Sequence, residues 1–423
     1  MNHRVPPCAL RLTILFLVGC LSNTCPADNW AHWRGPDGNA VANDADPPTE
    51  FNNSLNLRWK VAVPGLGSGS PIVWEDDIFV VSAIPVSEGK IPQHQFVLFC
   101  FDRETGMERW RRVAVEATPH QETHSTNGFA SASPVTDGEH VYASFGSRGL
   151  YCYTMNGNLV WKRNNFPPMT TRNGFGEGSS PVLAGDRLIL PWDHEGQSKL
   201  YAINKTTGAT IWEVERDEPT NWGTPLVIEH GGRVEIITTG QNYARAYDFD
   251  TGAELWRCAG QTQRPAASPV YRDGVVYIAS GFRGSFLGAF RVGGRGDLQG
   301  TSNVLWTIER DTPDIASPLL SGDRLYYYKG RAGVLTCVDA TTGKPHYSTQ
   351  RIRGLDNIYA SPVAAGGHVY LSDRDGTVVV IKDSPRFEIV ATNELGETID
   401  ATPAPIDNQL IIRGEKHLFN FSR

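Results

Sequence analysis

Between residues 315 and 347 the chain alternates short apolar runs with polar turns. Residues 315–320 are apolar, Ser321-Gly322-Asp323 is a turn, and residues 324–329 are rich in Tyr. Residues 334–338 are apolar again, and Asp339-Ala340-Thr341-Thr342-Gly343 leads into a last run ending near Tyr347. Runs this short, separated by glycine-bearing turns, predict four strands of one small antiparallel sheet. The second turn recurs as Asp102, Thr105, Gly106 with Trp110, and as Asp248, Thr251, Gly252 with Trp256; Asn204, Thr207, Gly208 with Trp212 differs only in its first residue. Gly suits a turn position that needs positive φ, and a large aromatic at a fixed offset suits packing between neighbouring sheets.

The unit repeats along the chain. A Ser/Thr-Pro pair occurs at Ser70, Ser133, Ser180, Thr224, Ser268, Ser317, Ser361 and Thr402, each preceded by a small residue and followed by a turn signal such as Asp137-Gly138 or Gly366-Gly367. Four-stranded units about 47 residues apart, none able to bury both faces alone, predict an all-β, eight-bladed β-propeller of antiparallel blades. The aromatic series Trp59, Trp110, Trp161, Trp212, Trp256, Trp306, Tyr347, with Val390 at the eighth place, starts before the first Ser-Pro pair, while the last unit runs out after three strands. Segment 57–63 is therefore expected to complete the last blade by pairing with residues 418–421, which removes two exposed sheet edges. Seven blades plus a separate N-terminal element is the alternative.

Residues 1–27 carry Arg4 and Arg11, an apolar run over 12–21, and Ser22-Asn23-Thr24-Cys25-Pro26-Ala27. This pattern predicts an export signal rather than a membrane span. Cleavage after Ala27 is the preferred processing, and lipidation at Cys20, within Leu17-Val18-Gly19-Cys20, is the alternative. The domain reading is a signal at 1–27, an arm at 28–56 and a propeller at 57–423, in an exported protein that is periplasmic or extracellular. Cys100, Cys152, Cys258 and Cys337 remain; three of them occupy equivalent repeat positions, too far apart on successive sheets to bridge, so they are read as small buried hydrophobes. With 39 Lys+Arg against 46 Asp+Glu, net −7 and no basic block, nucleic acid is not an expected partner.

The Ser-Pro, Asp-Gly and Thr-Gly-x-x-x-Trp units resemble the pyrroloquinoline quinone (PQQ) repeat, and residues 30–38 (Trp-Ala-His-Trp-Arg-Gly-Pro-Asp-Gly) resemble the opening of secreted PQQ-like propellers. The resemblance implies a fold shared by quinoprotein alcohol dehydrogenases and by an outer-membrane assembly lipoprotein whose propeller is non-catalytic. In the dehydrogenases, the resemblance further implies a quinone in the central funnel, a calcium ion held by Glu, Asn and Asp, a catalytic Asp, and a vicinal disulfide. This chain has no Cys-Cys pair, and no stretch matches the loops that carry those ligands.

In a four-stranded blade the first-to-second and third-to-fourth turns share one face, and the other loops share the opposite one. On that second face, residues 111–130 and 162–178 read as long loops, and 192–199, 281–285 and 372–376 as polar ones. Residues just ahead of the Ser/Thr-Pro pairs should ring the channel mouth there: Glu177, Asn221, Trp222, Arg264, Asp314, Asn357, Tyr359 and Asp400. His120-Gln121-Glu122-Thr123-His124 has the wrong spacing for a zinc-protease helix, and both it and Asp193-His194-Glu195 read as solvated polar loops. The leading expectation is a non-catalytic scaffold, without cofactor or metal, that binds an envelope protein, a peptide or a polysaccharide on the long-loop face. The alternative is a PQQ- and calcium-dependent dehydrogenase of alcohols or sugars, with Glu177, Asn221 and Asp314 as metal ligands and Asp400 as base.

Overall fold

The computed structural model describes residue 1 and residues 29–423; the expected signal, its cleavage point after Ala27 and Cys20 lie outside them. Eight antiparallel sheets follow one another around a central axis, each with its first strand innermost. Blade 1 consists of Ile72–Trp74, Asp77–Pro85, His94–Asp102 and Glu108–Ala117. Blades 2 to 7 follow within residues 135–163, 182–216, 226–258, 270–308, 319–351 and 363–394. Blade 8 takes Ala404–Ile406, Gln409–Arg413 and His417–Ser422 from the C-terminus and Leu57–Ala62 from the front of the chain, with Lys60 opposite Phe419 and Val61 opposite Leu418. The ring thus closes by the pairing expected from the sequence. Among the described residues there is no α-helix, only the 3-10 turns Gly146–Arg148 and Arg172–Gly174.

Three details depart from the sequence reading. The outer strand of blade 1 runs on to Ala117, because the long hairpin inside it offers partners as far as His94, so only residues 118–134 form the loop expected over 111–130. The first strand of blade 6 starts at Leu319 rather than Ile315, since Pro318 has no N–H for a ladder. Two blades gain a fifth strand: Val41–Ala42 runs parallel to Val363–Ala365, and Gly296–Asp297 parallel to Glu254–Cys258.

The Ser/Thr-Pro pairs form a closed belt. The backbone N–H of each Ser or Thr donates to the hydroxyl of the next: Ser70 to Ser133, then Ser180, Thr224, Ser268, Ser317, Ser361, Thr402, and Thr402 back to Ser70, at 2.8 to 3.1 Å throughout. All eight residues are buried. A residue before proline is held extended, which frees its N–H from the ladder, and the proline that follows leaves no second donor to satisfy. Ser268→Ala is expected to lower stability by about 1–3 kcal/mol in urea unfolding, because it strands the buried Thr224 N–H. Ser268→Thr, which keeps the hydroxyl, should stay close to wild type; equal losses in the two variants would show that the belt does not carry this energy.

The aromatic series stitches blade to blade. The indole N–H groups of Trp59, Trp110, Trp161, Trp212 and Trp306 donate to Arg103, Met155, Lys205, Phe249 and Ala340 carbonyls in the next blade, at 2.9 to 3.0 Å. The ring of each lies on the turn glycine of that blade; a Cβ at Gly106, which has φ +71°, would meet the Trp59 ring at 2.7 Å. Trp256 is the exception. Blade 5 replaces the Thr-Gly turn with residues 292–303, so Trp256 donates instead to Glu235 Oε2 at 3.3 Å and Gly296 pairs beside it. Cys100, Cys152, Cys258 and Cys337 are free and buried, as the repeat positions implied.

The arm ahead of the ring crosses its turn side. Trp30 bridges to Val73 of blade 1, Ala31 accepts from Thr136 of blade 2, and Gly38 packs on Leu226 of blade 4. Asn39 bonds both backbone groups of Tyr271 in blade 5, Arg34 reaches Pro318 O at the entry to blade 6, and Ala40 O accepts from Ala364 in blade 7. Eleven residues that touch six blades must lie across the axis. His32 in this segment is pushed down to about 3 by burial, with Arg34 adding to the effect, so its imidazole is neutral at physiological pH.

Candidate functional site

The long-loop face opens into a cavity of about 330 Å³ on the channel axis. Trp222, Arg264, Asp314, Tyr359 and Asp400, all expected at the mouth, line it. Each stands a few residues ahead of the belt, where the chain approaches the innermost strand from the loops. Phe175, Phe282, Arg331 and His124 join them.

The walls are aromatic and cationic. The Arg264 guanidinium lies 3.2 Å from the Phe282 ring centroid and 5.2 Å from that of Phe175. Arg264 also has φ +52°, a left-handed backbone that a residue with a Cβ adopts only where its surroundings hold it. Arg374 and Arg331 sit 4.8 and 5.8 Å from the Tyr359 ring, and Arg331 donates to the Tyr359 hydroxyl at 2.9 Å. The Tyr359 hydroxyl also meets Thr126 Oγ1 at 3.1 Å. Trp222 is anchored by its indole N–H on Gly176 O at 2.7 Å.

The carboxylates are already engaged. Asp400 accepts two bonds from Arg374, at 2.6 and 3.1 Å. Asp314 faces Arg331 at 3.5 Å. Burial pushes both carboxyls above their ordinary range while the arginines pull them back. Three of the expected mouth residues stay out of the cavity. Glu177 is turned into the wall, where Ser147 N–H and its hydroxyl bind the carboxylate, and burial raises its pKa. Asn221 is buried, its amide donating to Asp193 at 3.0 Å and to Thr239 O at 2.8 Å. Asn357 is half-buried outside the lining, and its carbonyl accepts the Arg374 N–H at 3.0 Å.

Neither polar cluster is a merely solvated loop. In 120–124 the two imidazoles part: His120 bonds Met169 O at 2.6 Å, whereas His124 lines the cavity, its Nδ1 2.8 Å from Thr126 Oγ1 and its ring edge-on to Phe175. In 193–195, Asp193 forms a buried bidentate pair with Arg216 at 2.8 and 3.0 Å, and Glu195 accepts from Thr220 and faces Arg172. Sequence alone could not pair Asp193 with Arg216, which comes from the next strand but one of blade 3. Phe282 and Arg331 were findable, since both stand on second-to-third loops of the mouth-bearing face.

Calcium needs six to eight oxygen ligands. Among the described residues no group of three His, Cys, Asp or Glu side chains is placed to hold a metal ion. Glu177, Asn221 and Asp314 are each turned to separate partners, so these three residues do not converge as the calcium ligand set named for the dehydrogenase alternative.

Residues 49–165 and 296–384 match the family model described as outer membrane protein assembly factor BamB. This chain is similar to the PQQ-repeat propellers. The structure of BamB from Moraxella catarrhalis superposes with a TM-score of 0.61 at 14% identity, over 87% of this chain and 99% of that one. Quinohemoprotein alcohol dehydrogenase from Comamonas testosteroni gives 0.65 at 11% identity, over 95% and 81%. In sequence, tetrathionate hydrolase of Acidithiobacillus ferrooxidans is 24% identical over 53% of this chain and 44% of its own. The chain spans less than half the length of the curated relatives it matches. At these identities the structural likenesses establish the PQQ-type propeller fold and nothing narrower. No helix among the described residues is long and apolar enough to cross a membrane.

Proposed function

We propose that this propeller is an exported, non-catalytic scaffold that takes a segment of a protein, peptide or polysaccharide partner into the mouth of its long-loop face. One observation carries the reading: the carboxylates at the mouth are neutralised by arginines, while aromatic rings and guanidinium groups face the open space. Aromatic and arginine side chains give large contact areas and directed hydrogen bonds at interfaces, and they are the residue types that dominate recognition sites. An acid or base for chemistry would need a titratable group free to exchange its proton with a substrate, and Asp400, the candidate base, is held by two bonds from Arg374. The match to the BamB family model supports a binding role, and the leader-like residues 1–27 support export to a periplasmic or extracellular envelope partner. On this reading neither PQQ nor calcium is required.

The test sets binding against cofactor retention. Peptide and glycan arrays probed with the full chain should give ligands whose affinity falls at least tenfold in a Phe282→Ala, Tyr359→Ala double variant that folds normally. In parallel, the protein is incubated with PQQ and Ca²⁺ and desalted. A quinone absorbance that survives, together with dye reduction by alcohols, would overturn the scaffold reading in favour of a dehydrogenase.

A further inference from the structure

Five arginines are buried among the described residues: Arg34, Arg103, Arg216, Arg245 and Arg413. Four have partners. Arg34 donates to three backbone carbonyls, Arg103 pairs with Asp407, Arg216 with Asp193, and Arg245 with Glu218. Arg413 has none. It is 1% exposed, and its Nε, Nη1 and Nη2 are all buried without a hydrogen-bond partner.

Arg413 ends the second strand of blade 8 (Gln409–Arg413), at the seam with blade 1 and on the long-loop face. No carboxylate among the described residues forms an ion pair with it. Glu397 instead binds the Lys416 and His417 N–H groups and His417 Nδ1, and Glu415 is exposed. Burial pushes the Arg413 guanidinium down to about 10, with Glu397 and Glu415 opposing this through space, which leaves it charged at neutral pH.

Arg413 lies in the wall of a side cavity of about 50 Å³, its guanidinium nitrogens just behind the surface, and the lining also includes Ser68, Ser125, Thr398, Arg374, Asp400 and Glu415. One water needs about 10–15 Å³ on this measure, so the space admits a group larger than a single water. Asp400 adds little repulsion because both its oxygens are bound by Arg374. Hydroxyl-bearing Ser68, Ser125, Thr126 and Thr398 share the cavity lining with Arg413, and Ser68, Thr126, Asn127 and Asp400 belong equally to the funnel wall.

We propose that Arg413 and this side cavity form a carboxylate-binding site, entered from the funnel, in which the guanidinium fork receives two oxygens of one anionic group. The fork geometry of arginine matches a carboxylate bidentately. The carboxylate comes either from a free small acid or from an acidic side chain of a bound peptide, and the site does not depend on how the rest of the funnel is used.

The experiment uses the full chain and two probes: sodium acetate, with sodium chloride holding ionic strength constant, and a hexaglutamate peptide. Thermal unfolding and calorimetric titration are followed for wild type and for Arg413→Met. Acetate or hexaglutamate should give a saturable rise in the wild-type midpoint that the variant lacks. Ligand-free Arg413→Met should itself unfold at or above the wild-type temperature, because it removes an unpaired buried charge. Saturation by acetate identifies a free acid as sufficient, and saturation by hexaglutamate alone identifies an acidic peptide; either result supports the site. If Arg413→Met does not fold, Arg413→Lys, which keeps the charge but loses the fork, should weaken probe binding about tenfold. Silence of both probes on wild type, or equal responses in wild type and variant, would overturn the proposal.

Discussion

Trp59→Ala is expected to destabilise the protein by about 3–5 kcal/mol, the range for truncating a large buried aromatic. Trp59 is 8% exposed and joins the strand Leu57–Ala62 to the first repeat. Its indole N–H holds Arg103 O at 2.9 Å, its ring covers Gly106, and Asn420 Nδ2 reaches the same carbonyl at 3.0 Å. Arg103 adds an ion pair to Asp407 at 2.6 Å across the seam. Chemical denaturation measures the loss, and hydrogen exchange should show protection falling first in residues 57–62 and 417–422. A loss below about 1 kcal/mol would mean that the ladder and the belt close the ring without this ring-on-glycine packing. Gly106→Ala should give a comparable loss through the other partner, since both the positive φ and the Trp59 ring oppose a methyl group there.

Arg216→Met is expected to cost about 3–5 kcal/mol, because it leaves Asp193 buried without its counter-ion. Both side chains are at most 1% exposed. The same guanidinium donates to Thr238 Oγ1 and the Tyr247 hydroxyl at 2.8 Å, tying blade 3 to blade 4. Replacing both charges, as Asp193→Leu with Arg216→Met, should recover a large part of the loss in urea unfolding, as removal of a whole buried pair commonly does. A double variant no more stable than the single one would place the cost in lost packing instead of in the stranded charge.

The fold was legible in this sequence because its repeat obeys local rules. The turn glycines, the tryptophan offset and the Ser/Thr-Pro pairs are short-range signals, and the matched deficits at the two ends led directly to the pairing of 57–63 with 418–421, observed as Leu57–Ala62 with His417–Ser422. What the hydroxyls of those pairs do was not legible, since their partners lie a whole repeat away; a list of Ser-Pro pairs contains no hydrogen bond. The site divided in the same way. Trp222, Arg264, Asp314, Tyr359 and Asp400 follow from their place ahead of the belt, which topology fixes. Glu177 and Asn221 have the same place but turn outward, because Ser147 and Asp193 offer partners that position alone does not foretell. Phe175 and His124 come from long irregular loops, where backbone direction is set by tertiary contacts and no periodicity marks the residues that bend inward.

The segment from Trp30 to Ala40 has a consequence for traffic. Because it is held to six of the eight blades on the far side, the ring is a cup and not a pipe, and under the proposed binding role a partner that enters at the mouth would leave by the same route. Release would then depend on the loops at the brim, and a long polymer could be gripped only by its end or by a bend.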